Sequence, residues 1–306
     1  MLAILVAALL VNSGLVGSRR TDERLLFSVL GRSPFSDSIF TIGTDGSDLR
    51  PLLTAEPGKS YLYASGTTLS GRMTVVVHEA TGRGIADHLY LFYPKNKKWE
   101  LVDTGDELPG RGVESPDGTQ IVFGAAPKSA PWRYRIYLKN FTTGAAKYIT
   151  SGEDRSQHGF PIWSPDSKEI SFLQVRYQAG TAVATLIRIR PDGTSPKVTL
   201  TESDGVRAVA YSPDGKRMCV LTNRGVEILN LESMTREVAL PSAKLPNRQF
   251  QLGLVTWSNS NSLAFVVQNG TNKQWELWTV GIDGSNPRCV YTLGEGVVGG
   301  IFFVRE

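Results

Sequence analysis

One motif recurs along this chain at a nearly constant interval, and that interval limits what the chain can fold into. Glu114-Ser115-Pro116-Asp117-Gly118-Thr119-Gln120-Ile121-Val122-Phe123 returns as Trp163-Ser164-Pro165-Asp166-Ser167-Lys168-Glu169-Ile170-Ser171-Phe172. It returns again as Tyr211-Ser212-Pro213-Asp214-Gly215-Lys216-Arg217-Met218-Cys219-Val220. The three prolines stand 49 and 48 residues apart. A worn copy, Trp257-Ser258-Asn259-Ser260-Asn261-Ser262-Leu263-Ala264-Phe265, puts Asn259 in the proline slot 46 residues later. A degenerate copy puts Thr68 in that slot, 48 residues before Pro116. A fixed period of this size marks a repeat architecture, in which each unit buries its apolar surface against its neighbours.

A second motif interleaves with the first. Asp45-Gly46-Ser47, Asp192-Gly193-Thr194 and Asp283-Gly284-Ser285 each separate two apolar alternating runs. Phe141-Thr142-Thr143-Gly144 and Pro94-Lys95-Asn96-Lys97 keep the position with other turn residues. In Ser-Pro-Asp-Gly, proline presets φ at the first central position, Asp tolerates the second, and Gly supplies the left-handed conformation that closes a hairpin. Asp-Gly between alternating runs is a hairpin signal by itself. Each unit reads strand, Ser-Pro-Asp-Gly turn, strand, variable loop, strand, Asp-Gly turn, strand. Helical periodicity is absent after residue 25.

A repeated four-stranded antiparallel meander of this length predicts a β-propeller blade. From Leu25 to Glu306 there are 282 residues, six units of 47. Later blades fall near 60–105, 111–152, 158–202, 206–241 and 251–294. The stretch 25–54 supplies only three strands, Leu26–Leu30, Ile39–Ile42 and Leu49–Leu53. The C-terminal Gly300–Val304 supplies one. The expected fold is therefore all-β, a six-bladed propeller with the C-terminal strand innermost in the first blade. Such closure joins the two ends of the ring and removes open sheet edges.

The unit W/Y-S-P-D-G-K-x-I-x-F followed by D-G-S resembles the PD40 (WD40-like) repeat of TolB-type propellers over roughly residues 25–306. No Trp-Asp dipeptide occurs, so the chain is not a true WD40 array. The kelch and sialidase Asp-box signatures are absent too. Glu114 replaces the expected aromatic, Ser167 replaces the turn glycine, and the last copy has lost Pro-Asp. TolB proper carries an additional N-terminal α/β domain for which this chain has no room, so the expectation is a TolB-like propeller without it. The resemblance implies an extracytoplasmic, periplasmic bacterial binding protein, its partner an envelope lipoprotein or membrane protein, as the TolB family docks a peptidoglycan-associated lipoprotein.

Residues Met1–Val11, MLAILVAALLV, form an unbroken apolar run. It is shorter than the roughly 20 residues of a spanning helix and matches the apolar region of a secretory signal. No Lys or Arg precedes it, and Arg19 and Arg20 follow it, which a standard signal lacks. The preferred reading assigns 1–20 to export or tethering and 21–306 to the propeller, with a buried first strand or helix as the alternative. A monomer is the expected state. With 33 Lys and Arg against 29 Asp and Glu, and no basic block, no nucleic-acid partner is implied. Pro94–Trp99, the one basic-aromatic cluster, reads as a solvated turn. The two cysteines, Cys219 and Cys289, exclude a disulfide scaffold and a Cys-based zinc site. Both lie in apolar runs and read as buried thiols.

Candidate chemistry is sparse. Asp117, Asp166 and Asp214 recur at one turn position on different blades, and each is explained by its own turn. His78 and His88 face each other across a hairpin but lack the further ligands of a metal site. No nucleophile elbow, zinc-helix, phosphate-loop or dinucleotide motif is present, so no catalytic residue, metal or cofactor is assigned.

The tight turns share one face, and the variable loops share the other. The variable loops are Thr81–Asp87, Ala125–Tyr134, Val175–Thr185, Lys244–Gln251 and Gly270–Gln274; they are the expected binding surface. They include Arg83 and Lys128, and Trp132, Arg133, Arg176, Tyr177 and Trp275 suit a protein interface. The rival reading is that Trp132, Tyr177 and Trp275 pack their own loops. Arg111, His158, Arg207 and Gln251 precede the inner strands and are expected to ring the channel mouth, where they favour an anionic group. The sequence thus predicts a non-catalytic binding scaffold. The alternative is a propeller enzyme, a polysaccharide lyase or hydrolase or a peptidase-associated unit, acting on an anionic ligand at that mouth.

Overall fold

The computed structural model describes residues 23–31, 38–66, 71–81, 84–151, 156–294 and 296–305. The apolar segment 1–20, Thr68 and Arg83 lie outside the described residues. Among these residues the elements are strands, apart from two single-turn 3₁₀ helices at Glu202–Asp204 and Ser242–Lys244.

The strands form six four-stranded antiparallel sheets arranged as blades. Blade one takes β1 (Glu23–Leu30), β2 (Ser38–Gly43) and β3 (Arg50–Thr54). Blade two is β4 (Lys59–Gly66), β5 (Met73–Thr81), β6 (Gly84–Tyr93) and β7 (Lys98–Val102). Blade three is β8 (Glu107–Glu114), β9 (Gln120–Pro127), β10 (Arg135–Asn140) and β11 (Ala146–Tyr148). Blade four is β12 (Gln157–Trp163), β13 (Ile170–Gln178), β14 (Thr181–Ile189) and β15 (Lys197–Leu200). Blade five is β16 (Ala208–Tyr211), β17 (Arg217–Thr222), β18 (Gly225–Asn230) and β19 (Arg236–Pro241). Blade six is β20 (Arg248–Trp257), β21 (Ser262–Asn269), β22 (Trp275–Gly281) and β23 (Arg288–Thr292). The last strand, β24 (Val297–Arg305), pairs antiparallel with β1 and completes blade one. The six blades and their closure are as the repeat predicts.

The Ser-Pro-Asp-Gly turn is held by its serine. Ser212 Oγ donates to Asp214 Oδ1 at 2.5 Å, contacts Arg217 O at 3.0 Å and accepts from Arg217 N–H at 2.9 Å. Ser164 and Ser115 make the same set with Asp166 and Glu169, and with Asp117 and Gln120. One hydroxyl thus fixes both the turn and the register of the hairpin it opens. Ser167 fills the glycine slot at φ 60°, a left-handed position that Gly118 and Gly215 occupy in the other copies. The second motif works likewise, with Asp45, Asp192 and Asp283 accepting from the backbone N–H two residues on at 2.8–2.9 Å. These aspartates serve their own turns.

Two departures from the repeat are compensated by other blades. Glu114, in the aromatic slot, is buried and receives Arg72 Nε at 2.8 and 2.9 Å. That guanidinium also sits 5.7 Å over Tyr93 and 5.5 Å over Phe141, so it supplies the flat contact the missing aromatic would have made. In the worn copy, which lacks the turn aspartate, Glu23 of blade one supplies the carboxylate. It accepts from Asn259 N–H at 3.0 Å and Ser260 Oγ at 2.6 Å.

Both faces of each sheet are buried, one against each neighbouring blade. Val75 and Val77 join the core between blades one and two, while Val76 faces blade three. Met218 and Val220 face blade four, while Cys219 and Leu221 face blade six. Period-two alternation therefore divides residues between two apolar interfaces, which is why the second strands read as continuous apolar runs. Cys219 is buried as expected, and burial pushes its thiol up. Cys289 is exposed, contrary to expectation. It stands on β23, an outermost strand, where Arg288 and Cys289 are open to solvent.

Replacing Ser212 by alanine removes the donated and the accepted hydrogen bond of a buried hydroxyl; we expect a loss of about 1–3 kcal/mol in urea unfolding at neutral pH, without change of fold. The turn carboxylates also set the acid limit. Hydrogen bonds from the hydroxyls of Ser47, Ser164, Thr194, Ser212 and Ser285 hold Asp45, Asp166, Asp192, Asp214 and Asp283 below the ordinary carboxylate range. Because the folded values are depressed, their stabilisation is complete above the unfolded value near pH 4. It is lost as pH falls through the folded values. Urea midpoints measured from pH 7 to pH 2 should be flat down to about 4 and then fall.

Candidate functional site

The innermost strands line the central channel, and most of them are irregular: β4 slips between Tyr61 and Tyr63, β24 carries an extra residue opposite Ser28 and Val29, and β8, β12 and β20 slip as well. In β8 the register slips between Pro109 and Gly112, in β12 between Gly159 and Ile162, and in β20 between Phe250 and Val255. Extra residues in a paired strand re-aim side chains. Here they bring Arg111, Phe160 and Gly253 together. Blades three and six stand opposite each other in a six-membered ring, yet Arg111 Nη1 donates to Gly253 O. Gly253 N–H in turn donates to Arg207 O at 2.8 Å. Gly253 has φ +74°, and a Cβ there would overlap the Phe160 ring. Phe160 is itself left-handed at φ 56°.

This crossing divides the channel. On the turn face lies a cavity of about 380 Å³ lined by Pro116, Trp163, Pro165, Tyr211, Pro213 and Trp257, residues of the repeat motif. On the loop face lies one of about 230 Å³ lined by Tyr63, Arg111, Tyr134, His158, Phe160 and Tyr177, among others. Arg111 borders both.

The four residues expected at the mouth separate in their roles. Arg111 forms the floor of the loop-side cavity. Burial pushes its guanidinium down to about 10, and Tyr63 opposes that shift. His158 lines the same cavity but is 5% exposed, with Ser156 Oγ at 3.1 Å and Gln174 Nε2 at 3.4 Å from its Nε2. Its ring tilts against Phe172 at 5.3 Å. Arg207 is tied by Nη1 to Ala182 O at 2.9 Å and braces the crossing through its carbonyl. Gln251 lies in the buckled stretch of β20, and its neighbour Leu252 lines the cavity.

On the loop face, Trp132 is 65% exposed and Tyr177 66% exposed. Arg133 and Arg176 are exposed beside them in sequence. Trp275 is half-buried and packs on the core between blades six and one. Packing therefore accounts for Trp275 and not for Trp132 or Tyr177. The expected loop Val175–Thr185 is a strand extension, since β13 runs to Gln178 and β14 starts at Thr181. Ala179 and Gly180, both left-handed, make the two-residue turn that keeps the strands paired to their tips. His78 and His88 do not meet. Register puts His78 opposite Asp87, with Nδ1 2.5 Å from its carboxylate, and turns His88 to the other face against Tyr90.

Tyr63, Tyr134 and Phe160 were not singled out from the sequence. Burial pushes both tyrosines up, with Asp87 adding to each shift. A signal for two of them existed: Tyr63, Arg111 and Phe160 each stand five residues before the proline slot of their repeat copy. The repeat register thus places three cavity residues at one equivalent position.

Among the described residues no three His, Cys, Asp or Glu side chains are grouped to hold a metal ion. No helix among them is long and apolar enough to cross a membrane. No family model and no curated protein matches the sequence. Solved structures do. TolB from Acinetobacter baumannii superposes with a TM-score of 0.68 at 16% identity, over 93% of this chain and 67% of that one. The chain has the six-bladed propeller fold of TolB. A candidate TolB from Agrobacterium tumefaciens gives 0.65 at 16% identity, over 91% of this chain and 93% of that chain. A chain of a nidogen/laminin complex gives 0.66 at 12% identity, over 92% and 98%. An oligogalacturonate lyase in complex with manganese gives 0.55 at 12% identity, over 88% and 73%. At these identities the likeness is one of fold, which hosts both binding proteins and enzymes.

The crossing at Gly253 is testable through the backbone. Gly253→Ala combines a left-handed φ with overlap on Phe160. We expect a loss of about 2–4 kcal/mol by denaturant unfolding, against a small effect for Gly180→Asn, whose site is open.

Proposed function

We propose that the chain is a non-catalytic, extracytoplasmic scaffold of the bacterial cell envelope that binds a protein on its loop face. The observation that carries this reading is the pair of large aromatic side chains, Trp132 and Tyr177, held two-thirds exposed at the ends of paired strands and a short loop. Exposed Trp and Tyr next to Arg are the residue types that dominate protein interfaces, because they bury much area at little entropic cost. A rigid propeller presents them without folding on contact, which lowers the cost of binding.

The likeness to two TolB structures and to a chain from a nidogen/laminin complex supports a binding role. The apolar segment 1–11 supports export or tethering. An envelope lipoprotein or membrane protein is the proposed partner, with a monomeric scaffold. The likeness to a lyase keeps an enzyme as the second reading, favoured by the arginine at the channel centre.

The test is affinity capture from bacterial envelope extract with the purified chain and with Trp132→Ser/Tyr177→Ser. Both substitutions are at exposed positions, so unfolding curves should coincide. A protein retained by the parent chain and reduced at least tenfold by the double variant supports the scaffold. Equal retention by both chains moves the interface elsewhere. Turnover of an anionic saccharide by the purified chain would replace this reading with the enzyme.

A further inference from the structure

We propose that the loop-side cavity of the channel is a carboxylate-binding site, in which Arg111 takes the carboxylate and the aromatic wall takes an apolar or aromatic stem. The argument begins with the donors of Arg111. A guanidinium carries five N–H donors in a planar fork. One hydrogen bond is made, from Nη1 to Gly253 O. Nε is buried with no partner. The Nε–Nη2 edge, which has the spacing to grip two carboxylate oxygens, is therefore without a partner.

No carboxylate among the described residues answers this charge. Two carboxylates of this region have partners of their own. Glu114, which borders the turn-side cavity with Arg111, is held by Arg72. Asp87, whose field reaches Tyr63 and Tyr134, is paired with His78. A buried charge without a counter-ion costs stability, and the structure maintains this one at the centre of the ring, braced by Gly253 and Arg207. A cation held in place by Gly253 O beside a cavity is preorganised for an anion.

Size and lining narrow the ligand. About 230 Å³ holds roughly eight waters at about 30 Å³ each, below the usual range of drug-sized pockets. That is room for one small acid or one residue. Arg111 is the single Arg or Lys on the lining, which suits a monoanion better than a phosphate dianion. Phe160, Val175 and Leu252 supply apolar wall, and Tyr63 and Tyr134 supply phenol groups. A free aromatic or aliphatic acid and the C-terminal residue of a peptide share this chemistry. The site does not require the rim to be a docking surface, and it is tested without any protein partner.

The experiment is titration of the full chain, by calorimetry or ligand-observed NMR, with 3-phenylpropionate and N-acetylphenylalanine. Their amides and inorganic phosphate serve as comparisons. Each acid is expected to bind at least tenfold more tightly than its amide. Tighter binding of N-acetylphenylalanine assigns a peptide C-terminus, and tighter binding of 3-phenylpropionate assigns a free acid. In Arg111→Gln, the preference for acid over amide should vanish. The acid-to-amide ratio on the unaltered chain stands even if that variant is unstable. Equal binding of acid and amide overturns the proposal. So does phosphate binding as tightly as the acids, or no acid binding up to about 10 mM. Retention of acid preference by a folded Arg111→Gln chain overturns it as well. Loss of envelope capture in Trp132→Ser alone, a residue outside the cavity lining, with acid binding intact separates this site from the scaffold reading.

Discussion

The pairing of β24 with β1 is the contact that every blade depends on. Eight residues of β1 pair with β24 from Glu23↔Arg305 to Leu30↔Val297, joining the two ends of the described chain in one sheet. Without it blade one has three strands, and the ring has two open ends. With it, each sheet has a neighbour on both faces, and six apolar interfaces form a closed circle. Glu23 strengthens the seam from the side, since its carboxylate serves the defective turn of blade six. The two ends of the chain are thus joined by a sheet ladder within blade one, and blades one and six by a shared core and two hydrogen bonds to the Glu23 carboxylate.

Closure also explains how the repeat tolerates its own decay. A blade's turn needs a carboxylate, but the carboxylate can come from its own Asp or from a neighbour. An aromatic slot needs a flat, partly apolar group, and the Arg72 guanidinium paired to Glu114 fills that role. Each substitution is answered by the adjacent blade because adjacent blades share one interface. Repeat proteins distribute stability over nearest-neighbour contacts in this way.

The same closure makes the channel. Inner strands forced around a narrow circle buckle, and the buckles of blades three, four and six bring Arg111, Phe160 and Gly253 together. Arg111 reaches the opposite wall because β8 carries an extra residue there, and Gly253 receives it because no side chain blocks the carbonyl. The channel becomes two cavities of different character. The turn-side one is walled by the repeat's own prolines and aromatics, and the loop-side one by residues free to differ between blades. The candidate site is where the repeat constrains the chain least.

The sequence by itself determined the blade number, the strand order within blades, the ring closure and the role of each turn aspartate. These follow from local chemistry repeated at a fixed period. Proline, serine, aspartate and glycine act within a few residues of one another, and alternation reports burial directly. The sequence also placed Arg111 and His158 at the channel, and marked Trp132 and Tyr177 as rim residues. Only the tertiary structure decided that Trp275 packs inward, that Cys289 faces solvent, that His78 and His88 point to opposite faces, and that Arg207 braces its neighbours. It alone showed that Arg111 spans the channel to Gly253, 142 residues away. That contact depends on the register slips of β8 and β20 and on the curvature of a closed ring. Register slips are set by the balance of packing on both faces of a strand, which no single stretch of sequence contains.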